Sequence, residues 1–219
     1  MLDVRENYRR IVDRIQTAAA RSGRPPQVVQ LIAVTKTVPA DKIRQAVDAG
    51  VLDIGENRLQ EALSKREALR DLELTWHFIG HLQTNKAKKV AENFDWVQCI
   101  DRPDLAEKLN QTATRQLRVL IEVNLGGEET KSGIDADRLP GLIEEFALYE
   151  RLRLRGLMTI PPFFENPEHV RPYFRKLREL AERFRLPELS MGMSHDFEVA
   201  IEEGATMVRI GTALFGERQ

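Results

Sequence analysis

A lysine closes the most apolar early segment of the chain. Leu31-Ile32-Ala33-Val34-Thr35-Lys36-Thr37 carries four apolar residues toward Lys36, and Pro39 ends the segment. A short apolar run bounded by a turn signal reads as a buried strand of the parallel-sheet kind. In α/β folds the C-terminal rim of such a strand is where chemistry is placed. A lysine there keeps its stem among apolar neighbours and turns its amine toward a concave site. Burial disfavours the ammonium form, which frees the amine for Schiff-base chemistry. The competing reading is a strand-end lysine that reaches solvent.

A second group of chemistry-bearing residues lies in the C-terminal third. Ser190-Met191-Gly192-Met193-Ser194-His195-Asp196 sets small residues between a strand and a helix, and Val208-Arg209-Ile210-Gly211-Thr212-Ala213 does the same. Backbone N–H groups at a helix start, with Ser and Thr hydroxyls beside them, make an anion site. Gly192 and Gly211 permit close approach of a ligand, or are turn glycines. Arg209 interrupts an apolar strand, so it either pairs with a buried carboxylate or points at a ligand. Asn57 is either a helix N-cap or a pocket contact. Met158 could wall a pocket, His77 reads as a core histidine, and His81 and Lys86 read as solvated loop residues. An amine that forms an imine, beside a phosphate cradle, suits a phosphorylated aldehyde. Pyridoxal phosphate is one candidate and a sugar phosphate of the class I aldolase kind is the other.

The elements that would position these residues alternate along the chain. Residues 3–21 have helical apolar spacing, stopped by Ser22-Gly23 and Pro25-Pro26. Strands are predicted at 31–35, 51–54, 76–79, 96–100, 117–123, 154–158, 188–191 and 206–210. Helices are predicted at 40–49, 58–69, 86–92, 103–115, 137–150, up to 184, and 197–203. Strict alternation implies a parallel sheet with right-handed crossovers, and eight units close a (β/α)8 TIM barrel. The rival, an open doubly wound sheet, lacks its glycine fingerprint after the first strand. No compositional break divides the chain, so residues 1–219 read as one domain with an extra N-terminal helix outside the barrel or at its base. The loop Gly126–Gly133, Gly-rich and charged, reads as a surface loop or lid.

Composition narrows the function classes. The chain has 219 residues, with 33 Lys and Arg against 34 Asp and Glu. That balance gives no bulk case for nucleic acid or an anionic membrane. The run Lys86-Ala87-Lys88-Lys89 reads as a solvated helix face. Cys99 is the single cysteine, which leaves no intrachain disulfide framework and no cysteine metal cluster. With no signal-peptide pattern and no long apolar run, a cytoplasmic protein is expected.

Six segments together carry a resemblance. They are Ala33-Val34-Thr35-Lys36, Ile54-Gly55-Glu56-Asn57, His77-Phe78-Ile79-Gly80 with Leu82-Gln83-Thr84-Asn85-Lys86, Gly156-Leu157-Met158-Thr159, Ser190-Met191-Gly192-Met193-Ser194 with Asp196, and Val208-Arg209-Ile210-Gly211-Thr212. In this order, over nearly the whole chain, they resemble the pyridoxal phosphate homeostasis protein family. The resemblance implies a single barrel of the alanine racemase N-terminal type that binds pyridoxal 5'-phosphate (PLP) without known turnover and influences vitamin B6 and amino/keto acid balance. It implies that Lys36 forms the internal aldimine. Ser194, Gly211 and Thr212 match the phosphate positions, helped by the backbone around Met193. Arg209 matches the arginine facing the pyridine nitrogen, which would leave that nitrogen unprotonated and the ring a weak electron sink. Asn57 and Met158 fall in motifs that line the cofactor.

Two functions follow from the resemblance: a carrier that buffers or delivers PLP, and a small racemase-like enzyme acting on amino acids. Related racemases add a β-domain with an opposing tyrosine, for which the segment after the last strand leaves no room. Tyr8, Tyr149 and Tyr173 all fall in predicted helices. General acid–base work at Cα needs a group opposite the lysine, and the sequence nominates none. The expectation is therefore a non-catalytic monomer in transient contact with apo PLP enzymes.

Overall fold

The computed structural model describes residues 3–127 and 132–217. Helix α1 (Val4–Arg21) comes first, then strand β1 (Gln30–Val34), α2 (Ala40–Ala49), β2 (Asp53–Glu56), α3 (Leu59–Ala68), β3 (Thr75–Phe78), α4 (Ala87–Asn93), β4 (Trp96–Ile100) and α5 (Pro103–Thr112). The second half holds β5 (Leu117–Asn124), β6 (Ile134–Asp135), α6 (Leu139–Glu145), β7 (Leu152–Met158), α7 (Arg171–Arg183), β8 (Glu188–Met193), α8 (Phe197–Glu202), β9 (Met207–Ile210) and α9 (Thr212–Phe215).

Eight parallel strands close on themselves in the order β4-β3-β2-β1-β9-β8-β7-β5, with β5 returning to β4. The two-residue β6 extends the end of β5. The reason for the barrel is visible strand by strand. All five residues of β4 are buried, and so are six of the eight in β5, as expected of strands covered by helices outside and side chains inside. Helix α7 supplies the outer layer with Phe174, Leu177, Leu180 and Ala181 on one face. Helix α1 lies outside the barrel, against α2, α8 and α9. It is pinned by Asn7 Nδ2 donating to the Leu214 carbonyl (3.0 Å) and by Arg14 forked onto Glu198 (2.8 and 2.9 Å).

The predicted barrel is observed, and two local differences have physical causes. Strand β2 lies two residues later than its pattern suggests, because Gly50 caps α2 in the left-handed region and the Val51 N–H returns to the Ala46 carbonyl (3.0 Å). Glu56 therefore ends the strand instead of opening a loop. Helix α6 is shorter than 137–150, since it tightens into a 3₁₀ turn at Phe146–Leu148. Tyr149 consequently stands outside a helix. Residues 128–131 of the Gly126–Gly133 loop, read as a surface loop or lid, lie outside the described residues.

Candidate functional site

A cavity of about 750 Å³ opens at the C-terminal ends of the barrel strands. Seven of the eight residues singled out from the sequence line it: Lys36, Asn57, Met193, Ser194, Arg209, Gly211 and Thr212. Met158 does not. It is fully buried, and its register partners are Glu122 on β5 and Ser190 on β8. Met158 is packed in the core beside the cavity-lining Glu122 and does not itself reach the cavity wall. Neither Lys86 nor any of the three tyrosines lines the cavity, whereas His81 does.

Lys36 stands two residues past β1, where the Thr35 N–H still bonds the Gly55 carbonyl of β2 (3.0 Å). Asn57 is not a helix cap, because that place falls to Arg58. Its Oδ1 is buried with no hydrogen-bond partner among the described residues, and the residue faces the cavity. An acceptor left in that position is suited to a donor on a ligand.

Ser194, Gly211 and Thr212 line the cavity at the ends of β8 and β9, the latter paired directly with β1. Ser194 Oγ accepts the N–H groups of Gly211 (3.3 Å) and Ala213 (3.1 Å), leaving its own proton to donate. A Cβ on Gly211 would meet no protein atom closer than 3.5 Å. A side chain there would make ordinary contact with Val34, so this glycine relieves no clash. Gly192 differs: φ is +89°, and a Cβ would come within 2.5 Å of Ala200 Cβ, so this glycine serves the packing of α8. The Met193 N–H is committed to Asp196 Oδ1 (2.6 Å). Met193 thus contributes its side chain to the wall, not that amide.

Arg209 is 3% exposed and resolves neither of its two simple readings alone. It lines the cavity, yet its Nη1 donates to Ser190 Oγ (2.6 Å) and its Nη2 to the Thr159 carbonyl (2.9 Å). Burial lowers its pKa to about 10, with Glu122 and Asp196 opposing, so it remains a cation at neutral pH. From Ser190 a chain of hydrogen bonds crosses the barrel interior. Ser190 Oγ donates to Gln98 Oε1 (2.7 Å), and Gln98 Nε2 lies 3.0 Å from His77 Nδ1. An amide nitrogen only donates, so Nδ1 accepts and the His77 proton sits on Nε2, which donates to Asp53 Oδ1 (3.0 Å). Burial lowers the pKa of His77 despite Asp53, in keeping with this neutral tautomer. Gln30 Nε2 closes the chain on Asp53 (2.7 Å).

The sequence reading missed Glu122. It lines the cavity from β5, is 5% exposed, and its pKa is pushed up to about 7, first by burial, then by Asp101, with Arg209 opposing. Strand β5 stands four strands from β1 in either direction around the barrel. Glu122 therefore occupies the wall opposite Lys36. The signal was present: an acid inside the apolar run Leu120-Ile121-Glu122-Val123 is the mirror of Arg209 in its own strand.

Comparisons with known proteins agree with this architecture. Residues 6–219 match the family model of the alanine racemase N-terminal domain. A pyridoxal phosphate homeostasis protein of Aquifex aeolicus is 52% identical, with 98% of each chain covered. A crystal structure described as an unknown protein from Bifidobacterium adolescentis superposes with a TM-score of 0.92 at 37% identity, covering 97% of this chain and 94% of the other. PipY of Synechococcus elongatus, solved with PLP bound, has a TM-score of 0.82 at 41% identity, covering 94% of this chain and all of that one. With a barrel, a strand-end lysine and full-length relatives in agreement, the chain belongs to the pyridoxal phosphate homeostasis protein family, built on the alanine racemase N-terminal domain.

Proposed function

We propose that this protein binds PLP in the cavity, holds it covalently at Lys36, and buffers or delivers it in vitamin B6 and amino/keto acid homeostasis. The observation that carries the reading is the convergence of Lys36 with Ser194, Gly211 and Thr212 on one cavity. The unclaimed Asn57 Oδ1 and the Ser194 hydroxyl left free to donate fit a polar, phosphorylated group. When bound, PLP supplies a phosphate and a carbonyl carbon that condenses with a primary amine, with loss of one water.

The residues of this chain divide the remaining work. Lys36 presents the amine. The Ser194 and Thr212 hydroxyls hold the phosphate, with Gly211 beside them presenting no side chain to it. Arg209, fixed by Ser190 and Thr159, presents a cation that does not give up its proton near neutral pH. A group facing it keeps its lone pair and gains no proton from it. Such a site retains a cofactor better than it activates one. Delivery is to apo-enzymes by transient contact, from a monomer in the cytoplasm. Among the described residues no helix is long and apolar enough to cross a membrane.

A second reading, a small PLP-dependent enzyme acting on amino acids, has one observation in its favour. Glu122, poised near neutrality opposite Lys36, is a group that could take or give a proton. One experiment separates the two. Protein loaded with PLP and dialysed is mixed with an apo-aminotransferase, and separately with L-alanine in D2O. A carrier restores the aminotransferase and exchanges the alanine Cα–H no faster than free PLP. Fast exchange that is lost in Glu122→Gln, with no restored aminotransferase, would establish the enzyme instead.

A further inference from the structure

The backbone on both sides of Lys36 is held by α3. Lys65 Nζ donates to the Thr35 carbonyl (2.5 Å), and the Thr37 N–H donates to Glu61 Oε1 (2.5 Å). Lys65 Nζ also bonds Glu61 Oε1 and Glu56 Oε1, both at 2.6 Å. Thr35 Oγ1 donates to the same Glu56 oxygen (2.6 Å). One ammonium thus ties together two carboxylates and the chain just before Lys36. Thr35 and Glu56 are fully buried and Lys65 is nearly so, yet none of Glu56, Glu61 and Lys65 lines the cavity.

Two features say that this cluster does more than fill space. A buried ion pair is seldom worth more than well-packed apolar side chains of the same volume. What it supplies instead is direction, since each bond has a fixed angle and length. The second feature is Thr37, whose φ is +63°. A β-branched residue in the left-handed region is a genuine outlier and persists only where its surroundings over-determine it. Here the Val38 N–H closes the turn on the Thr35 carbonyl (2.8 Å), and the Glu61 carboxylate braces it through the Thr37 N–H. The turn places Lys36 between a carbonyl pulled toward α3 and an amide pulled toward α3, so its side chain is left facing the cavity.

We infer that Lys65, with Glu61, is a positioning residue: the pair fixes the direction in which Lys36 enters the cavity. The inference rests on the reading that Lys36 anchors PLP. The test is the rate at which PLP becomes borohydride-stable on Lys36, read by peptide mass spectrometry and normalised to folded protein. Affinity for pyridoxamine phosphate, which has the phosphate but no carbonyl, is read alongside. Lys65→Met is expected to slow trapping by about tenfold or more, while pyridoxamine phosphate binds as in the parent. Glu61→Gln keeps an acceptor for the Thr37 N–H but loses the charge, and is expected to slow trapping by about threefold. A merely stabilising Lys65 would lower the melting temperature and leave the trapping rate per folded molecule unchanged, which overturns the inference. Should Lys65→Met not fold, an unchanged rate in Glu61→Gln overturns it in the same way. A parent protein that traps nothing on Lys36 overturns the proposed function, and the positioning role falls with it.

Discussion

Behind Lys36 the barrel holds an ionic knot, whereas behind Arg209 it holds a file of neutral groups. The knot joins Lys65 to Glu56 and Glu61 within 2.6 Å. The file runs Ser190, Gln98 and His77 before it reaches the Asp53 carboxylate. The difference follows from what each wall must hold. Lys36 sits on a turn that carries Thr37 at a positive φ, and strong, directional, charge-assisted bonds brace it. Arg209 lies on a regular strand that needs no such restraint. It needs its donors occupied in one pattern, and neutral groups of fixed polarity do that at lower desolvation cost.

The contrast can be broken by substitution. The largest expected effect is at Lys65: Lys65→Ala leaves buried Glu56 without its cation, and chemical denaturation should show a loss of about 3–5 kcal/mol. The next is a pH effect at Glu122, whose pKa rises from 4.5 to about 7 on folding. An acid whose folded pKa is raised contributes stability fully below its unfolded pKa, and that contribution is lost as pH climbs through the folded one. Stability should therefore fall by up to about 3 kcal/mol between the unfolded and folded values. Glu122→Gln should flatten that slope, and an unchanged slope would show that Glu122 ionises without penalty. Gln98→Leu cuts the neutral file, leaving Ser190 Oγ without its acceptor and His77 Nδ1 without its donor, and should cost about 1–3 kcal/mol by the same assay. A loss as large as that at Lys65 would erase the distinction between the walls. The smallest effect is expected outside the barrel, where Arg14 and Glu198 pair with side chains 43% and 28% exposed. Arg14→Ala should change stability by less than about 1 kcal/mol.

How much of this was legible in the sequence depended on how local each signal is. Strand β4 was readable to the residue because Trp96–Ile100 is buried on both faces and bounded by polar residues. Helix α2 was equally clear, since Gly50 marks its end. Lys36 and Arg209 stood out as charges where apolar residues were due. By the same rule Glu122 should have stood out, and it was passed over because its strand is the longest and reads as continuous. Met158 was placed on the cavity wall through its motif, yet it is fully buried beside Glu122 and does not line the cavity. Lys65 carries no local signal at all. A lysine inside a helix, four residues after a glutamate, reads as a solvated pair. Its burial depends on β2 ending at Glu56, which in turn depends on the way Gly50 caps the preceding helix. The file from Ser190 to Asp53 draws on four strands, and no spacing in the chain announces it.

The most direct test of the central claim is an absorbance spectrum of the protein loaded with PLP and dialysed, compared with Lys36→Ala treated identically. The expected result is a yellow long-wavelength band in the parent that is absent from the variant, with the variant retaining only weakly held, unlinked cofactor. A parent that stays colourless after loading, or a variant that keeps the same band, would contradict Lys36 as the anchor and the cavity as a PLP site.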